Sequence, residues 1–132
     1  MNNDSLKVFN NWIACADEDL ELARRELNYI DEEILIRSVC FHCQQAVEKY
    51  FKAFLILHNK NFRKTHDLDE LKILCLQIDK AFEIFDVTEL SLYAVEARYP
   101  DFVLIPNLDD VKKSFELASQ VREFIFKIIG EK

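Results

Sequence analysis

The sequence predicts an all-α protein, an antiparallel up-and-down bundle of about five helices that forms a single domain over residues 1–132. Three observations lead to this prediction. The chain contains one glycine and two prolines, too few turn formers for a fold of many short strands. Half of its residues are hydrophobic and eleven are phenylalanine, enough to fill one core. Apolar residues recur at helical spacing through long segments that short loops separate.

The two longest predicted helices lie in the first half of the chain. The first begins near Asp4 or Ser5, either of which would act as N-cap, and runs to about Asn28. The second runs from about Asp31 to His58 and is strongly apolar. Its length and hydrophobicity indicate a helix at the centre of the bundle.

The third and fourth predicted helices each begin at an aspartate that a glutamate follows three residues later. Asp67 precedes Glu70 and Asp86 precedes Glu89, an arrangement like a capping box with Asp in the Ser/Thr place. The fourth helix is expected to end before Pro100, because a proline disfavours the helical conformation in the residue that precedes it.

The fifth predicted helix begins near Asn107 and ends at Gly130. Asp109 and Asp110 fall in its first turn, where negative charge interacts favourably with the helix dipole. Gly130 is well placed as a C-cap, since glycine adopts the left-handed conformation that often ends a helix.

The composition excludes several classes of protein. With Gly130 as the single glycine, the chain has no Gly-rich phosphate loop, dinucleotide fingerprint or nucleophile elbow.

The N-terminal residues MNNDSLKVF do not resemble a secretory signal, and no apolar run approaches the ~18 residues that span a bilayer. We therefore expect a cytoplasmic protein without membrane association or cofactor. Its four cysteines are expected to be reduced thiols: Cys15, Cys40, Cys43 and Cys75.

Charge is unevenly distributed along the chain. The net charge is −7, which disfavours a general nucleic-acid coat. Residues 37–66 nevertheless carry six basic residues and one acid, Glu48, for a local charge of +5, whereas the remainder carries −12. This asymmetry is either ordinary variation along a helical protein or a local anion site on an acidic body.

One face of the second predicted helix has the apolar spacing of a bundle core. Cys40 and Cys43 lie on that face, and His42 between them raises the question of a metal site. His42 points the other way, however, and no second pair of ligands has zinc spacing, so we predict core cysteines and no metal. The core-facing residues are Ile36, Cys40, Cys43, Val47, Tyr50, Phe54 and Leu57.

The opposite face of the same helix carries polar residues over an arc of roughly 120°. Apolar residues share or border this arc, which is unusual for a fully solvated face, so we expect it to contact another helix, a second subunit or a ligand. The alternative is a solvated surface on which Glu48 and Lys52 form an ordinary ion pair. Lys49 and Lys52 together are a plausible two-point phosphate grip. We call this set the polar arc: His42, Gln45, Glu48, Lys49 and Lys52.

Three segments of the chain together resemble one family. FHCQQAVEKYFKAFL, THDLDELKIL and EARYPD, with the opening WIACADEDLELA, are similar to the landmarks of HEPN domains in order and spacing, over nearly the whole chain. The resemblance implies a helical bundle that forms a homodimer. It also implies a separate minimal nucleotidyltransferase as partner, in a toxin–antitoxin module or as an enzyme with its substrate-binding subunit, and a nucleotide or RNA as ligand.

Many HEPN proteins are metal-independent ribonucleases with an Arg-x4–6-His motif in a late helix. The resemblance therefore raises the question whether this chain carries the motif. Arg98 stands at the corresponding place, but no histidine follows it at the required spacing, so catalysis by this chain is not expected. Arg37 and His42 have the spacing elsewhere, although they lie ~140° apart on a helix. The alternative is a ribonuclease toxin that uses His42 with Arg37 or Arg98.

The resemblance further implies a ligand-binding set. Beyond the polar arc it includes His66, which would either contribute to the site or brace the third helix. Arg98 would hold phosphate or a carboxylate, or would instead pair with Glu48 or Glu96. Tyr99 would stack on a base, or be modified by the partner enzyme. The predicted ligand-binding residues are His42, Gln45, Glu48, Lys49, Lys52, His66, Arg98 and Tyr99.

Overall fold

The structure is a computed structural model that describes residues 3–29, 33–98 and 106–130. The all-α prediction is confirmed: the described residues form five α-helices in an antiparallel bundle and no β-strand. Two short 3₁₀ helices, Leu27–Tyr29 and Lys80–Ile84, follow the first and third α-helices. The α-helices are α1 (Asn3–Glu26), α2 (Glu33–Leu57), α3 (Leu68–Ile78), α4 (Thr88–Arg98) and α5 (Leu108–Gly130).

Helix α2 lies at the centre of the bundle and packs against each of the other four α-helices. Helix α1 is antiparallel to it. Ser5, near the beginning of α1, contacts Asn59 just beyond the end of α2, whereas Asp19 contacts His42 in the first half of α2. Because neighbours surround α2, no residue from 39 to 57 is exposed.

Five phenylalanines fill the core where the end of α2 meets α5. Phe82, in the second 3₁₀ helix, lies among them, with ring centroids of Phe54 and Phe124 at 4.6 and 5.0 Å. The rings meet in tilted and edge-to-face arrangements, which are the favourable ones for aromatic pairs. This short helix was not predicted, because five residues are too few to show a helical period. The five are Phe51, Phe54, Phe82, Phe85 and Phe124.

Local capping bonds explain where two helices begin. Asp67 caps α3 as predicted, and its Oδ1 accepts hydrogen bonds from the backbone N–H groups of Asp69 and Glu70 at 2.9 and 3.3 Å. At α5 the side chains of Asn107 and Asp110 each accept the backbone N–H of the other, at 2.8 and 2.9 Å. This reciprocal pair has the pattern of a capping box.

Three predicted caps are wrong. Asp86 is not the N-cap of α4, which begins at Thr88; its Oδ1 accepts the N–H of Thr88 at 3.3 Å, and the oxygen of Val87 accepts the N–H of Ser91. Asp4 and Ser5 are both helical residues of α1, so neither is its N-cap. Gly130 is the last residue of α5, but no described glycine has a positive φ, and a left-handed glycine cap is therefore not formed. The left-handed residue of the described chain is Asn59, with φ of 55°, immediately after α2.

Some sequence predictions fall on residues 99–105, which lie outside the described residues. They include the role of Tyr99, the loop with Pro100, and the positions after Arg98 at which the ribonuclease motif would require a histidine. Arg98 itself ends α4, as the following proline predicted. Among the helices in the described ranges, none has the length and apolar character needed to cross a bilayer.

Candidate functional site

The polar arc of α2 lies against α1 and the loop that precedes α3. Glu48 and Lys52 are only 3% and 5% exposed. Their 3.1 Å ion pair is therefore an interior one, and the alternative of a solvated surface pair is wrong. Much of the arc contacts another helix, which was one of the three partners expected from the sequence.

Three side chains converge on the Glu48 carboxylate. Lys52 Nζ donates to its Oε2 at 3.1 Å, and Gln44 Nε2 donates to its Oε1 at 3.3 Å. His66 Nδ1 lies 2.8 Å from the same Oε1, so the tautomer with a proton on Nδ1 donates to it. Because Gln44, Glu48 and Lys52 follow one another at intervals of four, they line up along one side of α2. We call these four residues the Glu48 network.

The Glu48 network fixes the loop between α2 and α3. Gln44 Nε2 also donates to the backbone oxygen of His66 at 3.2 Å, so α2 holds both the ring and the backbone of that residue. Thr65 Oγ1 accepts the N–H of Asp67, the N-cap of α3. The segment THDLDEL therefore anchors its loop with histidine and begins its helix with aspartate.

The Lys52 ammonium has aromatic neighbours as well as a carboxylate. It lies 5.6 Å from the ring centroid of Trp12 in α1 and 5.8 Å from that of Phe62 in the loop. A buried ammonium loses its hydration, and the Glu48 carboxylate together with two aromatic rings compensates for that loss. The Lys52 ammonium is thus buried and held by partners inside the protein.

A second group of charged residues lies where α1 crosses the first half of α2. Lys49 Nζ donates to Asp19 Oδ2 at 2.5 Å, and His42 Nδ1 lies 3.3 Å from Asp19 Oδ1. The other ring nitrogen, His42 Nε2, lies 3.5 Å from Glu26 Oε1, a buried atom that accepts no hydrogen bond from the described residues. We call these four residues the Asp19 cluster.

The charges of the Asp19 cluster shift the pKa values of its members. Burial alone would raise the pKa of the Asp19 carboxyl, but hydrogen bonds with His42 and Lys49 lower it below its ordinary value. The hydrogen bond with Asp19 raises the pKa of His42; burial opposes this rise, and the negative charge of Glu26 adds to it. The cluster therefore favours an imidazolium that can donate from both nitrogens. His42 and Lys49 remain 23% and 26% exposed, so solvent reaches this group.

A third polar group joins α1, α2 and α5. The hydroxyl of Tyr50 and the Nε of Arg122 both donate to Asp17 Oδ1, at 2.5 and 2.9 Å. Arg122 also lies over the ring of Phe126, 4.4 Å from its centroid. A cleft of about 440 Å³ between α1 and α5 has Asp17 and Arg122 in its walls. Burial raises the pKa of the Tyr50 hydroxyl, and Asp17 adds to this, so the tyrosine stays protonated.

Comparison with protein families gives the family of this chain. The HEPN domain profile matches residues 9–129, nearly the whole chain. The chain belongs to the HEPN family. No similar curated protein and no similar solved structure was found. Two of the three HEPN landmarks supply the residues of the Glu48 network, and residues 96–98 of the third form the end of α4.

The HEPN domain distributes the predicted ligand residues over separate groups. His42 and Lys49 meet at Asp19, whereas Lys52 and His66 meet at Glu48. Lys49 and Lys52 thus pair with different carboxylates and do not form a two-point grip. Gln45 Nε2 donates to Gln44 Oε1 at 2.7 Å and extends the Glu48 network toward the surface. Arg98 ends α4, with its side chain outside the described atoms, and Tyr99 lies outside the described residues.

Sequence reasoning about this HEPN domain missed the acidic partners on α1. Asp19 and Glu26 are seven residues apart, and so are Ala16 and Ala23, which are completely buried. The small alanines allow α1 to approach α2 closely, and each acid follows its alanine by three residues. This coincidence of spacing in ADEDLELARRE was a signal that could have placed the two acids beside α2. Among the described residues, no group of three or more His, Cys, Asp and Glu is arranged to hold a metal ion.

Proposed function

We propose that this HEPN protein is a homodimeric binding subunit for a nucleotide or other phosphate ligand and acts together with a separate minimal nucleotidyltransferase. The pair would be a toxin–antitoxin module, or an enzyme with its substrate-binding subunit. Family membership supports the pairing, since HEPN proteins often occur with nucleotidyltransferases. The ligand class is supported by the charges of residues 37–66.

The distribution of paired and unpaired cations is the observation that carries this proposal. Within the basic segment, Lys52 pairs with Glu48, Lys49 with Asp19, and Arg63 with Glu70 at 2.7 Å. In the part of the chain that the structure describes, no carboxylate pairs with Lys60 or Lys64. Lys60 and Lys64, both in the loop after α2, are therefore the two lysines of the basic segment whose charge no described carboxylate offsets, on a protein whose net charge is −7.

Ligand binding is tested by thermal melting of the purified protein with nucleotides, inorganic phosphate and short RNAs, at low and moderate salt. A ligand that binds the native state alone, at 100 times its dissociation constant, adds about 2.7 kcal/mol to the free energy of unfolding. For a domain of this size the melting temperature rises by several degrees. If no nucleotide or phosphate compound raises it, the ligand-binding part of the proposal is wrong.

Assembly is tested separately from ligand binding. Light scattering during size-exclusion chromatography should give twice the chain mass of 15.6 kDa. Coexpression with a minimal nucleotidyltransferase from the same source should give a stable complex, or a chain that has gained the mass of a nucleotide. A monomer that neither binds nor is modified by that enzyme would contradict this part of the proposal.

The alternative is a metal-independent ribonuclease, and the geometry of His42 favours keeping it as a second candidate. The ring is partly exposed, and its carboxylate neighbours favour the protonated form that a general acid needs. RNA cleavage by the purified protein, abolished in His42→Asn and reduced in Arg37→Gln, would support this candidate. Cleavage that persists in His42→Asn would exclude His42 as the acid.

A further inference from the structure

A cleft of about 360 Å³ opens where the beginning of α1, the end of α2 and the following loop meet. It lies next to the Glu48 network and is distinct from the Asp19 cluster. Its volume is within the roughly 300–1,000 Å³ of small-ligand pockets. The lining residues that matter for its chemistry are Asp4, Ile56, Lys60, Asn61 and Phe62.

Backbone geometry at the end of α2 brings the loop to the wall of this cleft. Asn59 takes the left-handed conformation, with φ of 55°. The N–H of Lys60 donates to the oxygen of Leu55 at 2.8 Å, and the N–H of Asn59 donates to that of Ile56 at 3.0 Å. This pair of bonds is the Schellman pattern, which reverses the chain direction in a defined way. Ser5 Oγ then donates to Asn59 Oδ1 at 3.3 Å and joins the turn to α1.

The aromatic wall of the cleft is supported from the interior of the protein. Phe62 lies within 5.8 Å of the Lys52 ammonium, which the Glu48 carboxylate holds in place. His66, four residues after Phe62, is fixed by the same carboxylate. The loop carrying Lys60, Asn61 and Phe62 is therefore held between its left-handed turn and the Glu48 network, and little ordering is left for a ligand to induce.

The chemical groups of the walls match the parts of a nucleotide. An apolar surface from Ile56 and the Phe62 ring suits the face of a base, since bases stack on aromatic side chains. The Asn61 amide has both donors and an acceptor for the edge of a base. The Lys60 ammonium suits a phosphate, and a carboxylate such as that of Asp4 accepts hydrogen bonds from ribose hydroxyls.

We propose that this cleft binds a ribonucleoside 5′-phosphate, with Lys60 at the phosphate, Asn61 and Phe62 at the base, and Asp4 at the ribose. This inference rests on the proposed function and names the class and the place of its ligand. It moves the site from the polar arc, whose lysines are paired, to the loop after α2. The same chemistry occurs in a free mononucleotide and at the 5′-phosphorylated end of an RNA.

The test is a two-dimensional NMR titration of the uniformly ¹⁵N-labelled protein with the common ribonucleoside 5′-monophosphates. We expect the amide resonances of Lys60, Asn61 and Phe62 to move, with the largest changes for the complete nucleotide. Adenosine, which lacks the phosphate, and ribose 5-phosphate, which lacks the base, should both bind more weakly than AMP. A short oligoadenylate with a 5′-phosphate, compared with AMP, separates the two sources of the ligand.

Two lysine variants provide a matched comparison. Lys60→Gln should raise the dissociation constant about tenfold, equivalent to about 1.4 kcal/mol. Lys64→Gln makes the same change of charge four residues away, on a residue that does not line the cleft, and should change the constant less than about threefold. Both side chains extend from a surface loop, and melting curves verify that each variant folds.

The outcomes separate this inference from the proposed function. Nucleotide-induced changes confined to His42 and Lys49 would overturn the cleft and leave the nucleotide-binding function in place. Equal losses in the Lys60 and Lys64 variants would also overturn the cleft, because they would indicate general electrostatic attraction. If ribose 5-phosphate binds as tightly as AMP, the base is not recognised and the ligand class is wrong. If no resonance moves with any nucleotide, the inference and the proposed ligand-binding function both fail.

Discussion

Removing the charge of Glu48 should be unusually costly for a single substitution. Glu48→Gln keeps the shape of the side chain but leaves the Lys52 ammonium, only 5% exposed, without its counter-charge. The new amide also presents a donor toward Gln44 or His66, which both donate to the present carboxylate. Breaking a buried ion pair in this way costs about 3–5 kcal/mol. We expect the lower part of this range, because the amide oxygen still accepts from Lys52 and aromatic rings lie near the ammonium.

Urea unfolding followed by circular dichroism measures this cost directly. Single domains have free energies of unfolding of about 5–15 kcal/mol, so Glu48→Gln should remove a large part of the stability. The melting temperature should fall by roughly 10 °C. Arg63→Gln is the control, since it breaks an ion pair whose arginine side chain is 70% exposed. We expect that variant to unfold within experimental error of the wild type.

The double variant separates a loss of pairing from a loss of packing. Lys52→Met removes the buried charge, so in its presence Glu48→Gln no longer leaves an ammonium without a partner. The two substitutions together should cost less than the sum of the single ones, by at least about 1 kcal/mol. A Glu48→Gln variant as stable as Arg63→Gln, or strictly additive effects in the double variant, would refute the description of the Glu48 network as a coupled interior group.

Three further predictions concern other parts of the bundle. The raised pKa of His42 means that its ion pairs stabilise the fold fully below the ordinary value of about 6.5 and cease to do so as pH rises through the higher folded-state value. Asp19→Asn should return the NMR titration midpoint of His42 toward 6.5, and an unchanged midpoint would exclude Asp19 as the cause. Tyr50→Phe, which removes a hydroxyl that donates to a carboxylate, should lower the free energy of unfolding in urea by about 1–2 kcal/mol; no change would show the bond to contribute nothing. Asn59→Ala should destabilise by about 1 kcal/mol because of its left-handed backbone, and Asn59→Gly by less; the opposite order would contradict the turn geometry.

The elements that depend on nearby residues were predictable from the sequence. The Asp67 cap and the start of α3 depend on bonds within three residues, and they were predicted correctly. The central position of α2 followed from its length and apolar composition. The second 3₁₀ helix, by contrast, forms because Phe82 packs against the end of α2 and against α5. The local sequence pattern does not predict those contacts.

The candidate site was predictable only in part, for a physical reason. Helical periodicity put His42, Glu48, Lys49 and Lys52 on one arc of α2 and indicated that the arc meets something other than water. Which of these cations is neutralised depends on residues distant in the chain, such as Asp19, thirty positions before Lys49. Net charge over a segment cannot distinguish a paired lysine from an unpaired one. That Lys60 has no carboxylate partner among the described residues is therefore visible only in the tertiary contacts.

The affinity of the ribonucleoside 5′-monophosphates for the wild-type protein, measured by titration calorimetry beside Lys60→Gln and Lys49→Gln, tests the central claim most directly. The proposal is that this HEPN protein binds a nucleotide through the lysines after α2, which pair with no carboxylate among the described residues. It predicts measurable binding to the wild type, an approximately tenfold loss in Lys60→Gln, and a smaller loss in Lys49→Gln, whose ammonium is already paired with Asp19. Binding that is lost in Lys49→Gln and intact in Lys60→Gln, or no binding to the wild type, would contradict it.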